Sequence, residues 1–191
     1  VGLLTACGAK EKGTDLPIYQ SLDDLKGKKV AVMTGSFHEG IIEKRFPEVE
    51  AMRIDYAADL AQALLAKQCE AAIFDDYVFR YHSQTIKGLT AMEEPLSVSQ
   101  MGYCFAKGKN VELRESYDKW IFHANEAEMP DIQLPEDKNP IRVATSSTSP
   151  PIDFIKNGKL VGLDIELVTR FAQHIGRGIV WSDMTFASMI P

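Results

Sequence analysis

KKVAVMTGSFHEGIIEK, residues 28–44, predicts a strand, a tight turn and a helix in direct succession. The apolar run KKVAVM is typical of a buried strand, and Pro47 ends the helix that HEGIIEKRF predicts. Between them, Thr34-Gly35-Ser36 offers backbone N–H groups and two hydroxyls. A helix N-terminus carries unpaired N–H groups and about half a positive charge. The turn is therefore either an anion-binding site or a plain connection in which Ser36 caps the helix.

The next sixty residues continue this alternation of strands and helices. EAMRIDY (50–56) and CEAAIFDD (69–76) are strand candidates, and AADLAQALLAKQ (57–68) places its leucines on one helix face. Alternation at short intervals predicts an α/β fold with a mostly parallel sheet flanked by helices. Asp75 follows the apolar run AAIF, so it is expected at the carboxyl end of a strand, where ligands of open α/β sheets bind. The alternative is a solvated acid at the start of a loop.

The pattern weakens and then restarts in the second half of the chain. MGYCFAKG (101–108) is predicted to be extended, and NVELRESYDKWIFHANEA (110–127) is predicted to be helical. Residues 127–140 carry three prolines and four acids, as a linker does. After it come a strand at IRVATS, a hairpin with Asn157-Gly158 as its turn, a helix over LDIELVTRFAQHIG and a strand at GIVWSDMTF.

Composition excludes several classes of protein. The chain has 191 residues and a net charge of −6, without a basic cluster interleaved with aromatics, so nucleic acid is not an expected partner. It has no apolar run of ~18 residues that would cross a membrane. The three cysteines, at positions 7, 69 and 104, show no metal-binding spacing. Cys69 and Cys104 are expected to be buried thiols, and no metal or cofactor is predicted.

Cys7 stands in a different context. VGLLTACGAK, residues 1–10, reads as the end of an apolar run followed by Leu4-Thr5-Ala6-Cys7-Gly8 and then polar residues. This resembles the lipobox of a bacterial lipoprotein, which implies cleavage before Cys7 and a diacylglycerol on its thiol. Residues 1–20 are then a signal remnant and tether, and the protein lies in the periplasm or at the cell surface, anchored to the membrane. The alternative is an apolar N-terminus that arises by chance.

Residues 141–191 resemble the opening of the first lobe of a type II periplasmic solute-binding protein, of the family that serves polar amino-acid ABC transporters. The resemblance rests on a strand, a Pro-Pro loop, the Asn-Gly hairpin, the helix that begins VGLDIEL, a strand and the run FASMIP. Residues 21–126, from SLDDLKGKKVAVMTGS to the helix around KWI, resemble the second lobe. The implied fold is that of two periplasmic-binding-protein lobes.

This resemblance implies a ligand site. In the family the turn after the first strand of the second lobe binds a ligand carboxylate, which implies contacts from Ser36 and the Phe37 N–H. Asp75 matches the acid that pairs with the α-ammonium. Phe186 matches an aromatic that stacks on ligand side chains, and Phe37, Phe74 and Tyr77 are expected to border the same cleft, although each aromatic has ordinary core packing as its alternative. The expected ligand-binding residues are Thr34, Gly35, Ser36, Phe37, Asp75 and Phe186.

Three departures from the family pattern bear on this expectation. Ser149 stands where an aromatic usually precedes the Pro-Pro pair, and Ser146 stands where an acid is common. The arginine that clamps the carboxylate is expected beyond Pro191. The second-lobe segment also precedes the first-lobe segment, so the chain is either a lone lobe followed by a second module or a permuted module. The first of these is the favoured interpretation.

The expected function is binding rather than catalysis. A lipid-anchored receptor closes two lobes on a small amino acid-like ligand and delivers it to an ABC transporter permease. No catalytic residue is predicted, because no Ser-His-Asp or paired-carboxylate arrangement is recognisable, and His38, beside the turn, is expected at the surface. The alternatives are an extracytoplasmic sensing domain, or the binding domain of a cell-wall lytic enzyme or dehydratase.

Overall fold

The computed structural model of the chain describes residues 2–9, 19, 21–92, 95–124, 133–135 and 139–189. Most of the predicted tether at 10–20 and most of the predicted linker at 127–140 lie outside these residues. The first part of the chain contains strands β1 (Gly2–Ala9) and β2 (Lys29–Met33), helix α1 (Phe37–Arg45), strand β3 (Glu50–Ile54), helix α2 (Ala57–Leu65), strand β4 (Ala71–Asp75), helix α3 (Asp76–Thr85) and strands β5 (Leu89–Ala91) and β6 (Val98–Ser99).

These strands form one mixed sheet in the order β3-β2-β4-β1-β5, with β6 also paired to β1. Strand β2 runs parallel to β3 and to β4, as the βαβ pattern predicts. Strand β1 runs antiparallel to β4, β5 and β6. The parallel strands that the sequence predicts therefore form one side of the sheet, and β1 extends it on the other.

Strand β2 lies at the centre of the core because both of its faces are buried. Val30 and Val32 belong to a hydrophobic cluster on the α1 side, and Ala31 belongs to a second cluster on the α2 side. A parallel strand covered by helices on both faces is expected to be apolar throughout, as this one is. The helices contribute Ile41 and Ile42 to the first cluster and Leu60, Ala61 and Leu64 to the second.

Strand β1 is a feature that the sequence analysis does not predict. Its register places Leu4 opposite Asp75 and Cys7 opposite Ala91. An apolar run reads equally well as a signal segment and as a strand, so local sequence does not separate the two. The partner edge of β4, which lies far away in the chain, provides the hydrogen bonds that make the run a strand.

Helix α4 (Val111–His123) follows the first sheet and packs against the second part of the chain, residues 139–189. Its Tyr117 packs in a third hydrophobic cluster with Ile141 and Phe171, and the rings of Tyr117 and Phe171 lie 5.1 Å apart. The remaining elements are β7 (Ile141–Thr145), β8 (Thr148–Ser149), β9 (Asp153–Lys156), β10 (Lys159–Val161), α5 (Leu163–His174), β11 (Ile179–Asp183) and α6 (Phe186–Met189).

The predicted hairpin and helices of this part are confirmed. Strands β9 and β10 pair antiparallel around Asn157 and Gly158, whose φ values of 52° and 74° suit a two-residue hairpin turn. Strand β11 runs parallel to β7, the order expected for a β-α-β unit that contains α5. Among the described residues, no helix is long and apolar enough to span a membrane.

Two predictions for the region before α4 are wrong. Residues 101–106 form no strand, although MGYCFAKG is predicted to be extended. Cys69 is buried as expected, but Cys104 is exposed. The apolar residues around Cys104 suggest a strand by local sequence, yet the segment pairs with no neighbouring strand that would bury it.

The start of α5 makes a specific demand on Gly162. Its φ of +137° is a conformation that L side chains rarely adopt, and a Cβ there would lie 2.0 Å from the carbonyl oxygen of Ile152. Gly162→Ala is expected to lower the free energy of unfolding by about 3 kcal/mol or more, because backbone must move to admit the methyl group. Urea denaturation measures this.

Gly40→Ala is the matched control. Gly40 lies inside α1, and a Cβ there meets nothing within 4 Å. We expect stability to rise by up to about 1 kcal/mol, since alanine is the better helix former. Equal unfolding midpoints for Gly162→Ala and the parent chain would contradict the close contact between Gly162 and Ile152.

Candidate functional site

The turn between β2 and α1 is held by backbone contacts on both sides. The Thr34 N–H donates to the Ile54 carbonyl at 2.9 Å, which ties the turn to the end of β3. Gly35 has a φ of +72°, and a Cβ at this position would lie 3.0 Å from the Cβ of Ala187 in α6. Glycine is required here both for the left-handed backbone and for the close approach of the second part of the chain.

The N-terminus of α1 combines a cap with free donors. The Ser36 Oγ accepts a hydrogen bond from the Glu39 N–H at 3.3 Å, so the capping alternative for Ser36 is present in the structure. The Glu39 carboxylate in turn accepts from the Gly35 N–H at 2.7 Å. Within the described part of the chain, the N–H groups of Phe37 and His38 form no hydrogen bond. Two backbone donors at this helix end are therefore open to an anion.

Asp75 lies on the same edge of the sheet as this turn. It ends β4, and β2 and β4 are parallel neighbours, so their carboxyl ends meet. The Asp75 Oδ1 lies 3.5 Å from the His38 Nε2, and its Oδ2 accepts a hydrogen bond from the Tyr77 hydroxyl at 3.1 Å. Burial raises the pKa of the Tyr77 phenol, and the Asp75 carboxylate raises it further, so this hydroxyl remains a donor.

The predicted surface position of His38 is wrong. Its side chain belongs to the first turn of α1 and faces Asp75 across the sheet edge, and the residue is only 8% exposed. The local sequence offers no apolar neighbour pattern that would reveal this, because the partner lies 37 positions away. His38 thus lies between the turn and the Asp75 carboxylate.

The predicted aromatics fall into different environments. Phe186 begins α6 and is half-buried, one residue before the Ala187 that covers Gly35. Phe37 is 60% exposed at the start of α1. Phe74 is only 2% exposed and belongs to the core, so its predicted place at the cleft is wrong and its core alternative is correct. Phe186 is therefore the predicted aromatic that the second part of the chain contributes.

Two acids of the second part face the same region. Asp153 accepts from the Thr145 hydroxyl at 2.7 Å, and Asp164 accepts from the Tyr103 hydroxyl at 2.8 Å. Both carboxylates raise the pKa of the Tyr77 phenol, whose hydroxyl donates to Asp75. Sequence reasoning missed both, although Asp164 stands within the VGLDIEL motif, where it was available as a candidate.

The two parts of the chain are joined by direct contacts. Tyr103 lies before α4 in the chain, and its hydroxyl donates to Asp164 in α5. The rings of Tyr81 in α3 and Phe154 in β9 lie 5.7 Å apart. Together with the close approach of Ala187 to Gly35, these interactions bring α1, α3 and the second part of the chain into contact.

Comparison with known proteins identifies the second part. Residues 141–191 match the family of bacterial extracellular solute-binding proteins, family 3. The match confirms the predicted resemblance, and no curated protein sequence matches the chain.

Solved structures show the same fold. The substrate-binding protein of an amino acid ABC transporter is 23% identical, with a TM-score of 0.56, and the match covers 65% of this chain and 54% of that one. An ancestral arginine-binding protein bound to glutamine is 29% identical, with a TM-score of 0.56 and the same coverage. A substrate-binding protein from Streptococcus pneumoniae bound to L-arginine is 23% identical, with a TM-score of 0.53, and the match covers 65% of this chain and 52% of that one.

These similarities confirm the predicted fold class. The chain has the α/β fold of amino-acid-binding solute-binding proteins, and it spans about half the length of the solved structures that it matches. Among the described residues of this solute-binding fold, no group of three or more His, Cys, Asp or Glu side chains is arranged to hold a metal ion. The site combines free backbone N–H donors on the turn with the Asp75 carboxylate.

The Asp153 carboxyl gives the solute-binding fold a measurable pH dependence. Burial raises its pKa to about 6, against the opposing hydrogen bond from Thr145. Because its ordinary value is 3.8, the folded chain holds this proton more tightly than the unfolded chain, so its contribution to stability falls as the pH rises from 4 to 6.

Asp153→Asn removes this dependence. We expect the free energy of unfolding of the variant, minus that of the parent, to increase between pH 4 and pH 7 and to change little above pH 7. Urea unfolding at four or five pH values measures the difference. A difference that stays constant, or that decreases with pH, would contradict the burial of this carboxylate.

Proposed function

We propose that the chain is part of an extracytoplasmic receptor that captures a small amino acid or amino acid-like solute and delivers it to an ABC transporter permease. One observation carries the proposal: the free N–H groups of Phe37 and His38 lie on the same sheet edge as the Asp75 carboxylate, which is 3.5 Å from the His38 ring. A zwitterion brings a carboxylate to the first group and an ammonium to the second, and charge-assisted hydrogen bonds of this kind are strong.

Further groups of the turn support this assignment. The Thr34 Oγ1 is buried and has no hydrogen-bond partner among the described residues, so a ligand oxygen supplies the missing partner. The Ser36 hydroxyl accepts from Glu39 and still has its own hydrogen to donate. Phe186 adds an apolar surface from the second part of the chain. The proposed ligand contacts are Thr34, Gly35, Ser36, Phe37, Asp75 and Phe186.

The ligand class follows from the charges around the site and from similar proteins. Asp153 and Asp164 raise the pKa of Tyr77, whose hydroxyl donates to Asp75, so a polar or cationic ligand side chain meets negative charge there. The ancestral protein is bound to glutamine and the Streptococcus pneumoniae protein is bound to L-arginine. These observations support a polar amino acid over an apolar one.

The proposed domains keep the boundaries that the sequence indicates: 1–20 as signal remnant and tether, 21–126 as a second lobe, 127–140 as a linker and 141–191 as a first-lobe-like domain. Their contacts favour the permuted interpretation over a lone lobe followed by a separate module. Tyr103 donates a hydrogen bond to Asp164, and α4 packs with β7 and α5, which supports one module over two separate ones. Ligand binding then favours a closed arrangement of the two lobes.

Isothermal titration of the full chain with each of the twenty amino acids tests the proposal. Saturable heat with at least one polar amino acid is the expected result. Absence of heat with all twenty would reject the proposed function. No covalent change in the ligand is part of this proposal, so recovery of the unchanged amino acid after release is a second expected result.

Asp75→Asn tests the ammonium end of the site. The variant leaves the ligand ammonium without its charged partner, so affinity is expected to fall at least tenfold, or about 1.5–3 kcal/mol. Asp76→Asn is the control, because Asp76 pairs with Arg80 along α3 at 2.7 Å. That variant is expected to bind within about twofold of the parent. Equal losses in both variants would remove Asp75 from the site.

Lipid attachment at Cys7 is a separate part of the proposal. The motif Leu4-Thr5-Ala6-Cys7-Gly8 supports it. Cleavage before Cys7 removes the residues that pair with β4, since Leu4 lies opposite Asp75 and Ala6 opposite Ile73. Of the β1 pairs, those of Cys7, Gly8 and Ala9 with β5 involve residues that cleavage leaves in the chain.

Cys7→Ser tests the anchor in a bacterial host. The parent is expected in the membrane fraction with a lipid-modified N-terminal peptide by mass spectrometry, and Cys7→Ser is expected in the soluble extracytoplasmic fraction. Cys104→Ser is the control, because Cys104 is the exposed thiol of the described residues and lies far along the chain. Membrane retention of Cys7→Ser would contradict lipid attachment at this residue.

A further inference from the structure

Glu39 stands where a ligand carboxylate is proposed to bind. Its Oε2 accepts from the Gly35 N–H at 2.7 Å, and Gly35 is the middle residue of the proposed anion-binding turn. The Glu39 side chain is only 14% exposed, so its charge is held close to the site rather than in open solvent. A carboxylate of the protein therefore occupies one donor of the turn, next to the free N–H groups of Phe37 and His38.

Arg53 holds Glu39 in this position. The Arg53 Nε contacts the Glu39 Oε1, and a terminal nitrogen of the same guanidinium contacts Glu43. Arg53 lies on β3, whose neighbouring Ile54 carbonyl also receives the Thr34 N–H. The carboxylate of Glu39 is thus fixed between a cation on one side and a backbone donor on the other.

We infer that Glu39 is a specificity-determining residue that competes with the carboxylate of the ligand at this turn. The inference rests on the proposed function. An incoming carboxylate meets a like charge at short distance and finds the Gly35 N–H already paired, and both effects weaken its binding. A ligand that carries an ammonium but no carboxylate avoids this competition. Glu39 therefore shifts the preference of the site away from carboxylates and toward amines.

Glu39→Gln separates the negative charge of Glu39 from its hydrogen bond with the Gly35 N–H. The amide oxygen still accepts from the Gly35 N–H, so the turn keeps its shape while the like charge disappears. Glu43→Gln is a matched control, because it removes one negative charge from the same arginine without touching the turn. Each variant and the parent are titrated with the amino acid that binds best and with the corresponding amine that lacks the carboxylate.

The expected result is a gain of about tenfold in affinity for the amino acid in Glu39→Gln, with affinity for the amine unchanged or lower. Glu43→Gln is expected to bind both ligands within about twofold of the parent. If the Gln variant does not fold, Glu39→Ala replaces it, with the same expected gain.

Three results overturn the inference. If the parent binds an amino acid and Glu39→Gln binds it equally or more weakly, Glu39 only closes the turn, and the proposed function stands without this role. If both Glu variants gain affinity equally, the effect belongs to the net charge near Arg53 and not to Glu39. Absence of binding in the parent and in every variant overturns the proposed function together with the inference.

Discussion

Burial of β2 on both faces is the constraint on which the rest of the structure depends. Val30 and Val32 point to the α1 side and Ala31 points to the α2 side, so helices must cover both faces of the parallel strands. A strand buried in this way has polar surroundings only at its ends. Because β2 and β4 are parallel neighbours, the first polar groups beyond them, the turn at Gly35 and the carboxylate of Asp75, emerge at one edge.

At that edge, two neighbouring residues of α1 contact the turn and the Asp75 carboxylate. Glu39 places a carboxylate on a donor of the turn, and His38 places an imidazole beside the Asp75 carboxylate. Glu39 thus presents a carboxylate where the carboxylate of a zwitterion would bind, and His38 presents an imidazole where the ammonium would bind. Partly buried polar groups need partners, and in this chain the first turn of α1 provides several of them.

The order of the two parts along the chain matters less than their contacts. Helix α4 packs with β7 and α5, and the Tyr103 hydroxyl donates to Asp164. Tyr103 and α4, which follow the first sheet, are therefore held by residues that come later in the chain. Gly35 admits Ala187 because it has no side chain of its own. These contacts hold the two parts of the chain together, whatever their order in the sequence.

Local sequence was enough to predict the strand, turn and helix at 28–44, the hairpin at Asn157-Gly158, the position of Asp75 at a strand end and the resemblance of 141–191 to solute-binding proteins. Each of these depends on local periodicity, turn chemistry or a contiguous motif. Only the tertiary structure decided that His38 is buried against Asp75, that Phe74 is core, that Cys104 is exposed and that residues 2–9 pair as a strand. These outcomes depend on distances between residues that are far apart in the chain, and local patterns do not encode which distant partner will satisfy a polar group or cover an apolar one.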